Sequence, residues 1–278
     1  MTDAAPAPVR GVIAIAGDAD GGAPRGDPPT VVIIPAFNEQ AALPGVVAEL
    51  RASTSGMAII VVDDGSTDQT AACAREAGAD IVLSMPYNSG VGAALRVGLL
   101  AARRLGANAV QCDADGQHPP GAIADLVAGL AEADIVVGAR FAGVGDYRVR
   151  GPRAWAMRVL SAIMSRVHHT RLTDVTSGFR AFGPRAVEVL ARRMPAQYLG
   201  DTVEALMIAG EERLVVRQCP VAMRERQGGQ ASHHPGAAAI YLLRSMTIVA
   251  LAGVRRLGAW GRRTGRAGDR AVVAEGKG

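Results

Sequence analysis

VVIIPAFNEQAALPGVVAELRASTSGMAIIVVDDGSTD, residues 31–68, decides how this chain folds. Two β-branched apolar runs, Val31-Val32-Ile33-Ile34 and Ile59-Ile60-Val61-Val62, bracket an Ala- and Leu-rich stretch that reads as a helix near 39–53. Neither run alternates with polar residues. A strand, a helix and a second strand of this kind open a parallel sheet that is covered on both faces.

The alternation continues along the chain. Helices are predicted near 68–77, 90–104 and 119–131, and strands at Asp80 to Ser84, Ala109 to Cys112 and Asp134 to Val137. The fold class is therefore α/β, with a mostly parallel, mixed sheet flanked by helices. Right-handed crossovers bring the carboxyl ends of such strands to one edge, where ligands collect. Three polar loops meet there: Pro35-Ala36-Phe37-Asn38-Glu39, Asp63-Asp64-Gly65-Ser66-Thr67-Asp68 and Asp113-Ala114-Asp115-Gly116-Gln117-His118-Pro119-Pro120.

Asp and Gly are ordinary turn residues, and any one of these loops on its own reads as a turn or a helix cap. Three on consecutive strand ends, each followed by a helix, point to a site instead. An Asp-x-Asp at a strand end presents two hard oxygen ligands, suited to Mg²⁺ or Mn²⁺ that already carries diphosphate oxygens. Asp68, at the start of a helix, is expected to be structural. His118, ahead of two prolines, is expected to shape its turn.

Composition bounds the rest. Of 278 residues, 49% are apolar and 20% charged, enough for a large core and too apolar for a disordered chain. One domain is expected over residues 29–235, between a loose segment at 1–28 and a basic tail at 257–278. The 30 basic residues exceed the 26 acidic ones, and Arg255, Arg256, Arg262, Arg263, Arg266, Arg270 and Lys277 crowd the end of the chain. Such a tail is either solvated or in contact with anionic lipid or nucleic acid. An aromatic content of 4% argues against a base-stacking nucleic-acid surface.

Cys73, Cys112 and Cys219 are odd in number and far apart, which speaks against a disulfide framework and fits a reducing cytoplasm. The Gly11 to Gly17 stretch is too short for a signal-peptide core, and no run approaches the roughly 20 apolar residues of a membrane span. Residues 236–256 read as a helix with Arg244 in its middle. It either packs on the domain or lies at a membrane surface.

At this point the sequence resembles the family 2 glycosyltransferases of the GT-A (Rossmann-like) fold, and among them the polyprenyl-phosphate, dolichol-phosphate-mannose-like sugar synthases. The resemblance spans about residues 30–235. It rests on the three loops above, on Asn88-Ser89-Gly90-Val91-Gly92-Ala93-Ala94 and on Asp174-Val175-Thr176-Ser177-Gly178-Phe179-Arg180, in the family's order. It implies that Pro35, Ala36, Asn38, Glu39 and Asp63 hold base and ribose of a nucleotide-sugar, with Gly90 and Gly92 close to the nucleotide. Asp113 and Ala114 would face the donor, Asp115 would ligate the metal, and Gln117 would be a second ligand.

On the acceptor side arginines carry the reading, because guanidinium groups grip phosphate through paired hydrogen bonds. Arg140 follows the fifth strand and is assigned to the donor. Arg148 and Arg150 read as an exposed charged loop. The resemblance assigns Arg153 to an acceptor phosphate and Arg226 to the loop that closes over the diphosphate. In that loop Ala231 stands where the family usually has serine, so Ser232 is the remaining hydroxyl.

Glu204 matches an acidic position near the acceptor and would be the general base for a hydroxyl acceptor. A phosphate acceptor needs none. The implied activity is inverting, metal-dependent sugar transfer from a UDP- or GDP-sugar to polyprenyl phosphate, at the cytoplasmic face of a membrane and in peripheral contact with it. Transfer to a glycan or natural-product hydroxyl is the alternative. Nucleotidyl transfer would want a lysine-bearing phosphate loop, and the predicted domain contains no lysine. A non-catalytic nucleotide-sugar binder would be expected to have lost Asp113, Asp115 or Gln117.

Overall fold

The apolar run at 31–34 becomes the centre of the sheet. The computed structural model describes residues 28–140, 152–194 and 201–224, with backbone alone at 152–154 and 201. Strand β1 (Thr30–Ala36) pairs in parallel with β2 (Ala58–Asp63) on one side and with β4 (Asn108–Gln111) on the other, and β3 (Ile81–Ser84) extends the β2 side. Beyond β4 lie β6 (Arg180–Phe182), β5 (Ile135–Ala139) and β7 (Val216–Pro220), giving the order β3-β2-β1-β4-β6-β5-β7. β6 is antiparallel to both its neighbours, and β5 and β7 are parallel to each other.

Both faces of the sheet are covered, which is why the runs Val31–Ile34 of β1 and Ile59–Val62 of β2 are apolar without a break. Val32, Ile34, Ile59 and Val61 pack against Val46 and Leu50 of α1 (Leu43–Ser53), Ala74 of α2 (Thr70–Glu76) and Ile123 and Leu126 of α4 (Ile123–Ala128). Their alternates Val31, Ile33, Ile60 and Val62 face Leu95 and Leu99 of α3 (Val91–Arg104), Leu160 of α5 (Pro152–His168), Leu190 of α6 (Pro184–Arg193) and Leu206 of α7 (Asp201–Glu211). Period-two side-chain alternation thus fills two cores from one run.

Two helix boundaries differ from the sequence reading for a local reason. α1 begins at Leu43 rather than near 39, because the amides of Asn38, Glu39 and Gln40 are bonded to Ser66, Thr70 and Asp68 of the neighbouring loop. The helix expected over 119–131 is α4 with a short 3₁₀ turn on each side, Pro120–Ala122 and Gly129–Ala131. The expected loose segment 1–28, but for its last residue, the expected helix 236–256 and the basic tail 257–278 lie outside the described residues, as do residues 225–235 of the expected domain and Arg148 and Arg150.

β6 brings a further loop to the site edge. Since β6 runs backwards between β4 and β5, its first residue pairs with the last of β4, Gln111 with Arg180. The turn before β6, residues 174–179, therefore arrives where β4 ends. Arg180 is fully buried there. Its Nε donates to the Ser177 carbonyl, Nη2 to that of Val175 and Nη1 to that of Thr202 at the start of α7, at 2.8–2.9 Å. Arg180→Met would remove three buried hydrogen bonds, two of them to the turn carbonyls of Val175 and Ser177, at about 1–3 kcal/mol for each group left unsatisfied. Urea unfolding should show a loss of about 3 kcal/mol or more, and a loss under about 1 kcal/mol would contradict this role.

Candidate active site

Strand register sets the site. Ala36, Asp63 and Ser84 are paired across β1, β2 and β3, so the loops that follow start level. β4 ends lower, with Gln111 opposite Ile33, and its loop begins under β1. The chain runs from β1 outward through β2 and β3 and then returns to β4 on β1's other side, so the strand order reverses between β1 and β4. A ligand crevice is expected at such a reversal.

The first two loops are stitched together. Asn38, at φ 55°, takes the Thr67 amide on Oδ1 at 2.9 Å and gives its own amide to Ser66 Oγ at 2.9 Å. Asp68 accepts the Thr70 and Gln40 amides and the Thr70 hydroxyl. Burial raises the Asp68 carboxyl, but the Thr70 and Gln40 donors outweigh it and hold it below the ordinary range. Asp68 is structural as expected. One oxygen takes the amide of Thr70, the first residue of α2, and the other bonds across to Gln40 of the first loop.

Asp64 performs the matching task for the third loop. Its two oxygens accept the amides of Ser89 and Gly90 at 2.8 and 2.7 Å. Burial pushes its carboxyl up; the two amides pull it down, and the Asp63 charge adds to the rise. Gly65, at φ +69°, lets the loops cross: a Cβ there would lie 2.4 Å from the Tyr87 carbonyl carbon. Asp64 and Gly65 were seen in the sequence only as part of a motif. Nothing in Asp-Asp-Gly tells which aspartate faces a ligand and which holds a loop.

After β4, Asp113 is half-exposed and Asp115 is buried. Asp115 Oδ1 accepts the Gln117 amide at 3.0 Å. The buried thiol of Cys112 is raised well above its usual range by burial, and then by the charges of Asp113, Asp115 and Glu49, which marks this spot as strongly negative. Gly178, from the turn before β6, lies against Asp113: a Cβ there would come 3.1 and 3.2 Å from its two carboxylate oxygens. No group of three or more His, Cys, Asp or Glu side chains is arranged to hold an ion among the described residues. The oxygen donors that are present suit a hard divalent ion completed by phosphate and water.

Arg140 is held by Asp174, whose fully buried carboxylate accepts Nε at 2.7 Å and Nη2 at 3.1 Å, with Thr176 Oγ1 also 3.1 Å from Nη2. The expectation of a donor contact overlooked this bidentate pair, because Asp174 is 34 residues away in sequence. Past β7, the Arg224 amide donates to the Gln117 carbonyl at 3.0 Å and its guanidinium pairs with Glu49. Arg226 and Ser232 lie outside the described residues.

The edge thus assembles Pro35, Ala36, Asn38, Glu39, Asp63, Gly90, Asp113, Ala114, Asp115 and Gln117. Ala36 and Ala114 point into the core, so only their backbone can meet a ligand. Asp63 Oδ1 accepts the Ser66 amide at 3.0 Å, a turn-closing role that sits beside the expected one. Gly92 is buried in the first turn of α3. Arg153 lies in the first turn of α5 and is described in backbone alone. Glu204 lies in the first turn of α7, two residues after Thr202, whose carbonyl Arg180 holds.

Residues 31–190 match the pattern of Glycosyl transferase family 2. The chain belongs to that family. It is 32% identical over 210 residues to the UDP-N-acetylglucosamine–dolichyl-phosphate N-acetylglucosaminyltransferase of Methanococcus voltae, covering 68% of this chain and 83% of that protein. The polyprenol monophosphomannose synthase of Mycolicibacterium smegmatis is 34% identical over 174 residues, 57% of this chain and 63% of its own length. The undecaprenyl-phosphate mannosyltransferase of Micrococcus luteus is 28% identical, with 74% and 88% covered.

Among solved structures, glucosyl-3-phosphoglycerate synthase of Mycobacterium tuberculosis with Mn²⁺, uridine-diphosphate and glucosyl-3-phosphoglycerate superposes with a TM-score of 0.57 at 22% identity, covering 81% of this chain and 80% of that one. The transferase thus has the GT-A fold.

Gly56 and Gly65 separate backbone strain from collision in this glycosyltransferase. Both have positive φ, but a Cβ at Gly56 meets nothing within 4 Å. Gly56→Ala should cost about 1–2 kcal/mol from the left-handed backbone alone. Gly65→Ala should cost about 1–3 kcal/mol more, from overpacking against Tyr87. Equal losses in chemical denaturation would show that the crossing of the two loops does not constrain Gly65.

Proposed function

We propose that this glycosyltransferase moves a sugar from a nucleoside-diphosphate donor, UDP- or GDP-linked, to polyprenyl phosphate with inversion at the anomeric carbon. The observation that carries this reading is the meeting, on one sheet edge, of four strand-end loops and the 174–179 turn around Asp113 and Asp115. The lipid acceptor is supported by the relatives, whose names specify dolichyl phosphate, polyprenol and undecaprenyl phosphate. No helix among the described residues is long and apolar enough to cross a membrane. The proposed contact with the lipid acceptor is peripheral, at the cytoplasmic face.

In this reading Pro35, Ala36, Asn38, Glu39 and Asp63 border the base and ribose, and the Gly90–Gly92 turn, fixed by Asp64, passes beside the nucleotide. Asp115 and Gln117 would hold Mg²⁺ or Mn²⁺, with Asp113 facing the ribose or a water on the ion. The oxygen-only donor set fits such an ion, which when bound neutralises charge on the departing diphosphate. Arg153 and Arg226 would bind acceptor and diphosphate oxygens, with Ser232 beside them, and Arg140 would border the donor while anchored to Asp174. An acceptor phosphate oxygen forms the new bond to the anomeric carbon as the bond to the diphosphate oxygen breaks. The electron pair leaves on the diphosphate.

Because a phosphate nucleophile is already ionised, Glu204 has no proton to remove. The test is transfer of labelled sugar from UDP- and GDP-sugars to polyprenyl phosphate in detergent with Mn²⁺. Label should enter the lipid, Glu204→Gln should stay within about threefold of wild type, and Asp115→Ala should lose roughly 10²-fold or more. Label reaching only a hydroxyl acceptor, together with a loss of roughly 10²–10⁴-fold in Glu204→Gln, would replace this acceptor with the hydroxyl class.

A further inference from the structure

His118 does more than shape the turn before Pro119. It is 7% exposed although it sits in a loop. Its Nδ1 accepts the Asp113 amide at 2.9 Å, so the ring proton is on Nε2, and Nε2 lies 3.5 Å from Oδ2 of the same aspartate. The ring plane is fixed from behind by Phe179, stacked at 4.7 Å between centroids and 18° between planes. Phe179 follows Gly178, which abuts both carboxylate oxygens of Asp113.

One residue is therefore gripped at three points. His118 holds the backbone of Asp113, its Nε2 lies 3.5 Å from one carboxylate oxygen, and the Gly178 backbone closes on the carboxylate without a side chain. Closing the turn requires only the Nδ1 contact, which an asparagine oxygen could supply. The Nε2 approach and the aromatic stack are surplus to that task, and together they keep the ring beside the Asp113 carboxylate.

We propose that His118 is a positioning residue that orients the Asp113 carboxylate toward the donor, an inference that rests on the reading of Asp113 as a donor-facing or metal-facing group. Partners of this kind commonly alter metal or ligand affinity 10–100-fold when removed. Phe179 and Gly178 join the same device, on the turn that the antiparallel pairing of β6 with β4 brings against the loop after β4.

A mutant cycle on binding tests this apart from turnover. UDP affinity in the presence of Mn²⁺ is measured by calorimetry for wild type, His118→Asn, Asp113→Asn and the double variant, with GDP as the alternate nucleotide. His118→Asn should weaken binding about tenfold or more in the wild-type background and less than about twofold beside Asp113→Asn. Unchanged affinity, or equal losses in both backgrounds, would overturn the proposal. If His118→Asn does not fold, His118→Phe, which keeps the stack, takes its place in the cycle, and failure of both to fold would make His118 a folding residue only. A folded wild type that binds neither nucleotide would instead sink the functional reading.

Discussion

Parallel pairing of β1 with β2 on one side and β4 on the other is the constraint from which the rest of this structure follows. It places the carboxyl ends of consecutive strands on one edge, and it opens the crevice where the chain reverses direction across the sheet. The ladder demands strands buried on both faces, and the unbroken apolar runs of β1 and β2 meet that demand with two cores. Everything polar is then displaced to the strand ends, where the chemistry can be built.

What converts four flexible loops into a shaped edge is a set of short-range polar ties across long sequence separations. Asn38 and Asp68 bind the first loop to the second, Asp64 binds the second to the third, and Arg180 and Asp174 fix the turn ahead of β6. Several of these groups are buried, and a buried donor or acceptor without a partner costs more than the bond contributes net. The ties therefore discriminate strongly between this arrangement and alternatives. Carboxylates at this edge are not alike: Asp64, Asp68 and Asp174 are tied to backbone amides or to Arg140, Asp115 is buried and accepts the Gln117 amide, and Asp113 is half-exposed on the crevice loop.

That division marks the limit of what the sequence reveals. The apolar runs, the strand–helix alternation up to Val137 and the level of the polar loops follow from periodicity and turn chemistry, which are local. The backward insertion of β6 does not, because a three-residue strand carries no periodic signal and its place depends on pairing with β4 and β5. For the same reason the partnership of Arg140 with Asp174 was not legible, nor was the grip of His118 on Asp113 with Phe179 behind it. The helix starts near 39 and 68 were misjudged by a few residues because amides that a helix would leave to its own cap are spent between loops.

The most direct test of the central claim, that the β4 loop and the β1 and β2 loops form one donor site, is anomalous diffraction from crystals grown with Mn²⁺ and UDP. The manganese peak should fall about 2.0–2.4 Å from a carboxylate oxygen of Asp115, with the uracil beside Pro35–Asn38 and Asp63. A peak remote from the β4 loop, or a nucleotide bound away from the β1–β4 crevice, would contradict it.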